Sequence, residues 1–258
     1  GMIPWTKEWY ALTDWERDLA GDVYGTNAHR RYGGDFQGVI DKLDYLKDLG
    51  VTAIYFNPVF AAPSLHKYDA LVFHHMDPFF GPDPVADLEL LKNPSTDPAS
   101  WTWSAADKKF LELVKQAHAK GIRVIIDGVF NHTSTDFFAF ADIREKQKES
   151  KYKDWYTILS WAEPGSKDRK KFDWAGWDGH KSLPEFAEVT DDRGRKTLHP
   201  EVKAYLFAIT RRWMDPNGDG DPSDGIDGWR LDVAEKVGDG FWQEWNALVK
   251  SINPNAYT

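Results

Sequence analysis

The feature that most constrains the fold is a nearly continuous apolar run at residues 122–127 (Ile-Arg-Val-Ile-Ile-Asp). It follows a helical pattern that begins at Ser104, where Asp107 completes a capping box, and that ends at Gly121. A strand this apolar is typical of a parallel sheet that is buried on both faces. Because parallel strands need a crossover between them, usually a helix, the run predicts an α/β fold.

The rest of the chain alternates in the same way. Short β-rich runs predict three more strands, at residues 9–12, 51–56 and 228–233. Apolar residues at helical spacing predict three more helices, at residues 36–49, 202–213 and 241–252. Two polar, aromatic-rich stretches interrupt the alternation, at residues 57–103 and 131–199. Loops of this length in a compact domain are usually functional or small subdomains.

The charge balance limits the partners. With 32 basic and 41 acidic residues the net charge is −9, which argues against nucleic acid or an anionic membrane and favours a neutral or cationic ligand. No apolar run approaches the roughly 20 residues of a membrane helix, and the absence of cysteine excludes disulfides, thiol catalysis and cysteine-ligated metals. Residues 1–5 lack the basic and apolar regions of a signal peptide. We therefore expect a soluble protein and leave its compartment open.

Charged side chains close two of the predicted strands. Asp127 ends one of them, and Arg230 and Asp232 end another. Side chains alternate along a strand, so Arg230 and Asp232 share a face, and the carboxyl ends of parallel strands are where α/β folds place active sites. An arginine beside an aspartate keeps that carboxylate ionised, as a glycosidase nucleophile must be. Taken alone, these residues also fit a structural ion pair.

Four motifs together resemble the α-amylase family of glycoside hydrolases, in particular its neopullulanase and cyclomaltodextrinase-like branch. Residues 127–132 (Asp-Gly-Val-Phe-Asn-His) and 228–232 (Gly-Trp-Arg-Leu-Asp) resemble two conserved regions of that family. Residues 66–69 (His-Lys-Tyr-Asp) resemble its sugar-stacking segment, and residues 183–186 (Leu-Pro-Glu-Phe) resemble a motif of its inserted domain.

The resemblance implies a partial (β/α)8 TIM barrel, about the first four β/α units, with an inserted subdomain after the third strand. It predicts three segments: the first part of the barrel at 1–130, the inserted subdomain at 131–199 and the barrel continuation at 200–258. In this family Asp232 would be the nucleophile that forms a covalent β-glycosyl intermediate, Arg230 would position it, and Asp127 would hold Arg230.

The sugar-binding residues are also implied by the resemblance. His132 would bind hydroxyl groups of the sugar at the cleavage position, Tyr68 would stack beneath that ring, and His66 would stand beside it. The ligand would be an α-glucan oligosaccharide. Plain packing is the alternative for Tyr68, and a satisfied core imidazole is the alternative for His132. The inserted segment adds four candidate glucan contacts, Trp155, Trp161, Trp174 and Trp177.

An acidic turn before the last predicted strand is a candidate calcium loop. Oxygen-bearing side chains stand at positions 1, 3 and 5 of the pattern, at Asp215, Asn217 and Asp219. Asp221 and Asp224 could complete the shell, although Ile226 occupies the position of the usual bidentate glutamate. The alternative is a solvated acidic turn. Asn131, a calcium ligand in many relatives, is a weaker candidate, and we expect no organic cofactor.

One required group is missing. A retaining glycosidase needs a second carboxylate about 5–5.5 Å from the nucleophile. In this family it is a glutamate at the end of the fifth strand, and residues 251–258 resemble the approach to that strand. Glu235 and Glu244 are predicted on or beside the last helix, facing away. We therefore predict a fragment of a retaining hydrolase of α-1,4-linked glucosaccharides (starch, maltooligosaccharides, cyclodextrins) that is inactive alone.

Two other interpretations fit the same residues. One is a non-catalytic α-glucan-binding module, and the other is a transglycosylase of the same family. An open half-barrel would also leave unpaired sheet edges. We expect either a homodimer that covers the opening or shielding by the helices and the inserted segment.

Overall fold

The computed structural model describes residues 7–30, 32–162 and 171–258. The strands of this part are β1 (Ala53–Phe56), β2 (Arg123–Gly128), β3 (Ile158–Ser160), β4 (Asp173–Trp174), β5 (Glu188–Thr190), β6 (Lys196–Leu198) and β7 (Gly228–Leu231). The α-helices are α1 (Asp14–Leu19), α2 (Val23–Thr26), α3 (Phe36–Ile40), α4 (Leu43–Asp48), α5 (Pro84–Leu90), α6 (Ala105–Ala119), α7 (Phe138–Lys146), α8 (Pro200–Met214) and α9 (Asp239–Ile252).

The main sheet is parallel and has the order β1-β2-β7. Phe56 pairs with Ile126, and Asp127 pairs with Arg230, so the carboxyl ends of the strands meet at one edge of the sheet. The α/β architecture with parallel strands is as the sequence predicts, and it is consistent with part of a barrel.

The tail of the chain adds to the free side of β7. The carbonyl of Tyr257 accepts the N–H of Trp229 at 2.9 Å, and the N–H of Tyr257 donates to the carbonyl of Asp227 at 2.8 Å. A Cβ atom on Gly228 would lie 2.2 Å from the carbonyl oxygen of Tyr257. This close approach therefore requires glycine at position 228.

Two sequence predictions are wrong in detail. The strand expected at residues 9–12 is a turn followed by irregular backbone, with Trp9 and Tyr10 49% and 72% exposed; it has no neighbouring strand to pair with among the described residues, so β propensity alone cannot form it. The helix expected at residues 36–49 is two helices, because the N–H of Lys42 turns to the carbonyl of Val39 in a tighter 3₁₀-like step.

The helices cover one side of the sheet. α6 packs against β2 and α3, and α8 packs against α9. Ser104 and Asp107 exchange the two hydrogen bonds of a capping box at the start of α6, as predicted. Aromatic side chains dominate the core between the helices and the sheet, where Phe60 lies 5.8 Å from Trp213 and Phe130 lies 5.5 Å from Trp229 (ring centroids).

The segment 131–199 is not a structureless loop. Its described residues contain α7 and two antiparallel ladders, β3–β4 and β5–β6. An antiparallel bridge between His132 and Glu185 brings a later part of the segment back to its own start, close to the carboxyl end of β2. The segment therefore lies over the carboxyl edge of the sheet. In the described parts of the chain, no helix combines the length and apolar character needed to cross a bilayer.

Candidate active site

Three charged residues meet at the carboxyl edge of the sheet. Arg230 is in β7, Asp127 is opposite it in β2, and Asp232 follows β7 by one residue. Nη1 of Arg230 lies 2.6 Å from Oδ1 of Asp232, and 3.2 and 3.0 Å from the two oxygens of Asp127. One guanidinium nitrogen therefore bridges two carboxylates.

Burial and the neighbouring charges have opposite effects on the pKa values of Asp127 and Arg230. Burial raises the pKa of the Asp127 carboxyl, although the hydrogen bond from Tyr55 and the charge of Arg230 act to lower it. For Arg230, burial alone would lower the pKa, but the hydrogen bond to Asp232 and the charges of both carboxylates raise it above its usual value. The guanidinium is therefore a permanent cation beside Asp232.

Two tyrosines complete the surroundings of Asp127. The hydroxyl of Tyr55 donates to Oδ2 of Asp127 at 2.6 Å, and the hydroxyl of Tyr68 donates to the same atom at 3.3 Å. Burial, followed by the hydrogen bond to Asp127, raises the pKa of Tyr55, so its hydroxyl is a donor at neutral pH. Tyr55 is not predicted from the sequence as a site residue. A polar tip in a short apolar strand was the available sign, but only the register of β1 and β2 brings it to Asp127.

A cleft of about 390 Å³ opens beside these groups. It is lined by His66, Tyr68, His132, Trp177, His180, Ser182, Leu183 and Asp232. The predicted sugar-binding residues therefore lie in one cavity with Asp232. Asp127 is fully buried and Arg230 is exposed, and neither is among the residues that line this cavity. The opposite wall comes from the segment 131–199. Among its predicted tryptophans Trp177 reaches the cleft, and Trp155 is buried in the core instead. The contributions of His180 and Ser182 are not predicted from the sequence.

His132 is buried at the base of the cleft. Its Nε2 atom has no hydrogen-bond partner among the described residues, and its ring centroid lies 5.7 Å from that of Trp177. Burial lowers the pKa of His132 to about 4, so the ring is neutral at pH 7. A buried polar nitrogen without a partner is costly unless a ligand or water satisfies it, and a sugar hydroxyl has the required chemistry.

The acidic turn at 215–224 is folded on itself. Both carboxylate oxygens of Asp215 accept backbone N–H groups, and Oδ1 of Asn217, Asp219 and Asp221 each accepts one as well. Oδ1 of Asp224 is buried and has no hydrogen-bond partner in the part of the chain that the structure describes, and burial and the charge of Asp215 raise the pKa of this carboxyl. The described residues contain no group of three or more His, Asp or Glu side chains arranged to hold a metal ion. The buried, unpartnered oxygen of Asp224 favours a bound cation, whereas the lack of a metal-binding group among the described residues does not. A calcium site therefore stays a prediction.

Asn131 is buried beside the cleft and not in the acidic turn. Its Nδ2 atom lies 3.2 Å from Nδ1 of His132, and its carbonyl accepts the N–H of Phe186. Asn131 thus helps to orient His132.

A parallel α/β sheet with paired carboxylates at its strand ends, beside an aromatic-walled cleft, is the arrangement of a glycoside-hydrolase barrel. The chain belongs to the α-amylase family: the model of the α-amylase catalytic domain matches residues 13–93 and 105–256. The resemblance seen in the sequence is thereby confirmed.

Two curated proteins and one solved structure illustrate the relationship. Neopullulanase 2 of Thermoactinomyces vulgaris is 42% identical over 226 residues, which cover 87% of this chain and 31% of that protein. A cyclomaltodextrinase of Geobacillus thermopakistaniensis is 39% identical over 229 residues, covering 88% and 31%. The type III pullulan hydrolase from Thermococcus kodakarensis superposes with a TM-score of 0.69 at 30% identity, covering 99% of this chain and 35% of that one. The chain thus spans about a third of the length of these relatives.

Proposed function

We propose that these residues are the nucleophile-bearing part of a retaining α-glucan hydrolase that acts on α-1,4-linked glucosaccharides. The observation that carries the proposal is the bridge from Nη1 of Arg230 to both Asp232 and Asp127 at the edge of a sugar-sized cleft. Asp232 supplies the attacking oxygen. Arg230 orients it, and His132, Tyr68 and His66 hold the sugar ring.

The geometry supports a nucleophile more than a purely structural ion pair. Asp232 lines the cleft, whereas Asp127 is fully buried and Tyr55 and Tyr68 both donate to it. A structural pair would not need one carboxylate presented to a cavity. The names of the relatives, neopullulanase and cyclomaltodextrinase, support an α-glucan as the substrate class.

The proposal includes inactivity of this chain on natural substrates. Among the described cleft-lining residues, Asp232 is the one carboxylate, whereas a retaining mechanism needs a general acid about 5–5.5 Å away. Glu244 forms ion pairs with Arg195 and Lys203 instead. Loss of general-acid catalysis removes about 10²–10⁴-fold in rate.

An α-glycosyl fluoride tests the nucleophile without the acid, because fluoride leaves without a proton. In the expected step, a carboxylate oxygen of Asp232 attacks C1 of α-maltosyl fluoride, the C1–O bond forms as the C1–F bond breaks, and fluoride leaves with the electron pair. We expect mass spectrometry to find one maltosyl group on the peptide that contains Asp232. Asp232→Asn should gain none, and Asp44→Asn, a matched change at an exposed ion pair with Lys120, should label normally.

Three results would contradict parts of this proposal. Turnover of maltooligosaccharides by the chain above a buffer blank would refute its inactivity. Labelling that survives Asp232→Asn would refute the nucleophile. Glucan affinity that survives Asp232→Ala, without labelling of the unmodified chain, would favour the non-catalytic binding module.

A pairing of two copies over the open side of the sheet is also proposed. The outer edge of β1 has no strand partner among the described residues, and Tyr55 on this strand is 44% exposed. Unpaired strand edges favour association with another chain. A monomer by sedimentation velocity at micromolar concentration would refute the pairing.

A further inference from the structure

Lys67 lies in the chain between His66 and Tyr68, which line the cleft, and has an unusual backbone conformation for a lysine. Its φ angle is 61°, in the left-handed region that favours glycine. Residues keep such a conformation only where the surrounding structure imposes it, and they cluster at functional sites. The contacts of Lys67 should therefore show what holds its backbone in the left-handed region.

The side chain of Lys67 runs under its loop and not into solvent. The residue is 8% exposed, its ammonium pairs with the carboxylate of Asp77, and Nζ lies 5.1 Å from the centre of the Phe80 ring. Asp77 is buried as well, and its other oxygen accepts the N–H of Phe79 at 3.0 Å. Because a buried ammonium without a partner is costly, the ion pair holds the side chain in place.

The cleft side of the same loop is held by weaker contacts. Oγ of Ser64 accepts the N–H of Lys67 at 2.9 Å, and Nδ1 of His66 accepts the N–H of Tyr68 at 3.2 Å. The hydroxyl of Tyr68 reaches Asp127 at 3.3 Å, the longest hydrogen bond made to that carboxylate. Within the loop, Oγ of Ser64 also donates to the carboxylate of Asp69. The Lys67–Asp77 pair is therefore the ion pair that ties this turn to a residue further along the chain.

We propose that Lys67 is a positioning residue of the sugar site, whose buried ion pair with Asp77 holds the left-handed turn that presents His66 and Tyr68 to the cleft. Its consequence for the sugar rests on the proposed function. The side chain does not touch the ligand. It sets where the two rings stand, and displaced rings would weaken their contacts with the bound sugar.

A purely structural role of the Lys67–Asp77 ion pair and a positioning role predict different results for the double variant. Removing both partners of a buried pair leaves no unpaired charge, so it is often nearly neutral for stability. If the pair only stabilised the fold, Lys67→Met/Asp77→Asn would restore both stability and the sugar site. If it positions the loop, the double variant folds normally and the sugar site stays impaired.

Two measurements on the chain separate these cases. The first is the ¹³Cζ resonance of Tyr68 in tyrosine-labelled protein, assigned with Tyr68→Phe, which reports the hydrogen bond to Asp127 without any sugar. Tyr24, which is 78% exposed, supplies the reference for a free tyrosine. The second is the rate of labelling by α-maltosyl fluoride, measured over a range of concentrations to give a half-saturating concentration and a limiting rate.

In the double variant we expect the Tyr68 resonance to move towards that of Tyr24. The half-saturating fluoride concentration should rise about tenfold, with the limiting rate changed less than about threefold, because contacts with the bound sugar are lost while Asp232, which reacts, stays in place. The single variant Lys67→Arg, which keeps a positive charge opposite Asp77, should give both measurements as in the unmodified chain. If the double variant does not fold, Lys67→Gly/Asp77→Asn, which also relieves the left-handed backbone, is the substitute, with the same expectations.

An unchanged Tyr68 resonance and unchanged half-saturation in a folded double variant would overturn the proposal. The proposal would also be overturned if neither measurement on Lys67→Arg matched that of the unmodified chain. A shifted Tyr68 resonance in a protein whose unmodified form is never labelled would instead refute the proposed function, and it would support the positioning role of Lys67.

Discussion

Nη1 of Arg230 lies 2.6 Å from Oδ1 of Asp232, two residues further along the same chain, while the same nitrogen bonds to Asp127 on the neighbouring strand. The guanidinium thus fixes Asp232 relative to β2 as well as to β7. Since a guanidinium stays charged at any accessible pH, the bridge holds Asp232 in one orientation beside a permanent positive charge.

We expect Arg230→Lys to lower the rate of labelling by α-maltosyl fluoride about 10²-fold, because an ammonium keeps the charge, but the shorter lysine side chain does not place a nitrogen where Nη1 bridges Asp232 and Asp127. The measurement is the rate of mass increase, with the circular dichroism spectrum as a check on folding. A lysine variant that labels within threefold of the unmodified chain would show that charge alone suffices.

The carboxylate of Asp107 organises a second buried network, far from the cleft chemistry. It accepts from Nδ1 of His75 at 2.7 Å, from the N–H of Ser104 at 2.9 Å and from Nη2 of Arg212 at 3.3 Å. Asp107→Ala would leave the Arg212 cation without its carboxylate. We expect a loss of about 3–5 kcal/mol in the free energy of unfolding, measured with urea. Asp44→Ala, at an exposed ion pair, should leave the midpoint nearly unchanged.

A histidine–aspartate pair at the opposite edge of the sheet should make stability depend on pH. Nε2 of His118 lies 2.7 Å from Oδ2 of Asp227, which also accepts the N–H of Val124. The hydrogen bond to Asp227 raises the pKa of His118 above the unfolded value of about 6.5. The folded state then binds the proton more tightly, so the stabilisation is fully present below about pH 6.5 and is lost as the pH rises through the folded-state value.

The comparison that tests this is between the unmodified chain and His118→Gln. We expect a difference of about 2 kcal/mol in the free energy of unfolding at pH 6, shrinking at higher pH. A difference that stays constant from pH 6 to pH 9 would mean that the proton on His118 does not contribute.

The acidic turn offers a test of the calcium prediction. If the turn binds calcium, isothermal calorimetry at pH 7 should detect one site, and saturating calcium should raise the melting temperature by mass action. Asp219→Asn, which removes one negative charge from the third ligand position, should weaken binding. Absence of heat with the unmodified chain would establish a solvated acidic turn.

Local chemistry explains which predictions from the sequence succeed. The capping box of Ser104 and Asp107 lies within one turn of helix, and the strand at residues 122–127 follows from an apolar run that has no other stable place than a buried sheet. The predicted strand at residues 9–12 fails because β propensity needs a neighbouring strand, and none is there among the described residues.

Some features of the candidate site also follow from local sequence, and others depend on the tertiary structure. Alternation along one strand suffices to put Arg230 and Asp232 on a common face. Tyr55 and Asp127 are 72 residues apart in the chain, and their 2.6 Å hydrogen bond depends on the register between β1 and β2. The wall at Trp177 and His180 depends on how the segment 131–199 folds back over the sheet.

What the sequence determined by itself is therefore the parallel α/β alternation, the family and the identity of the charged residues at the strand ends. Short-range periodicity and short motifs encode all three. The tertiary structure alone decided that one nitrogen of Arg230 contacts two carboxylates, that Nε2 of His132 is buried with no hydrogen-bond partner among the described residues, and that Lys67 pairs with the buried Asp77. These are properties of distance, burial and long-range register, which arise only when residues remote in the chain are packed together.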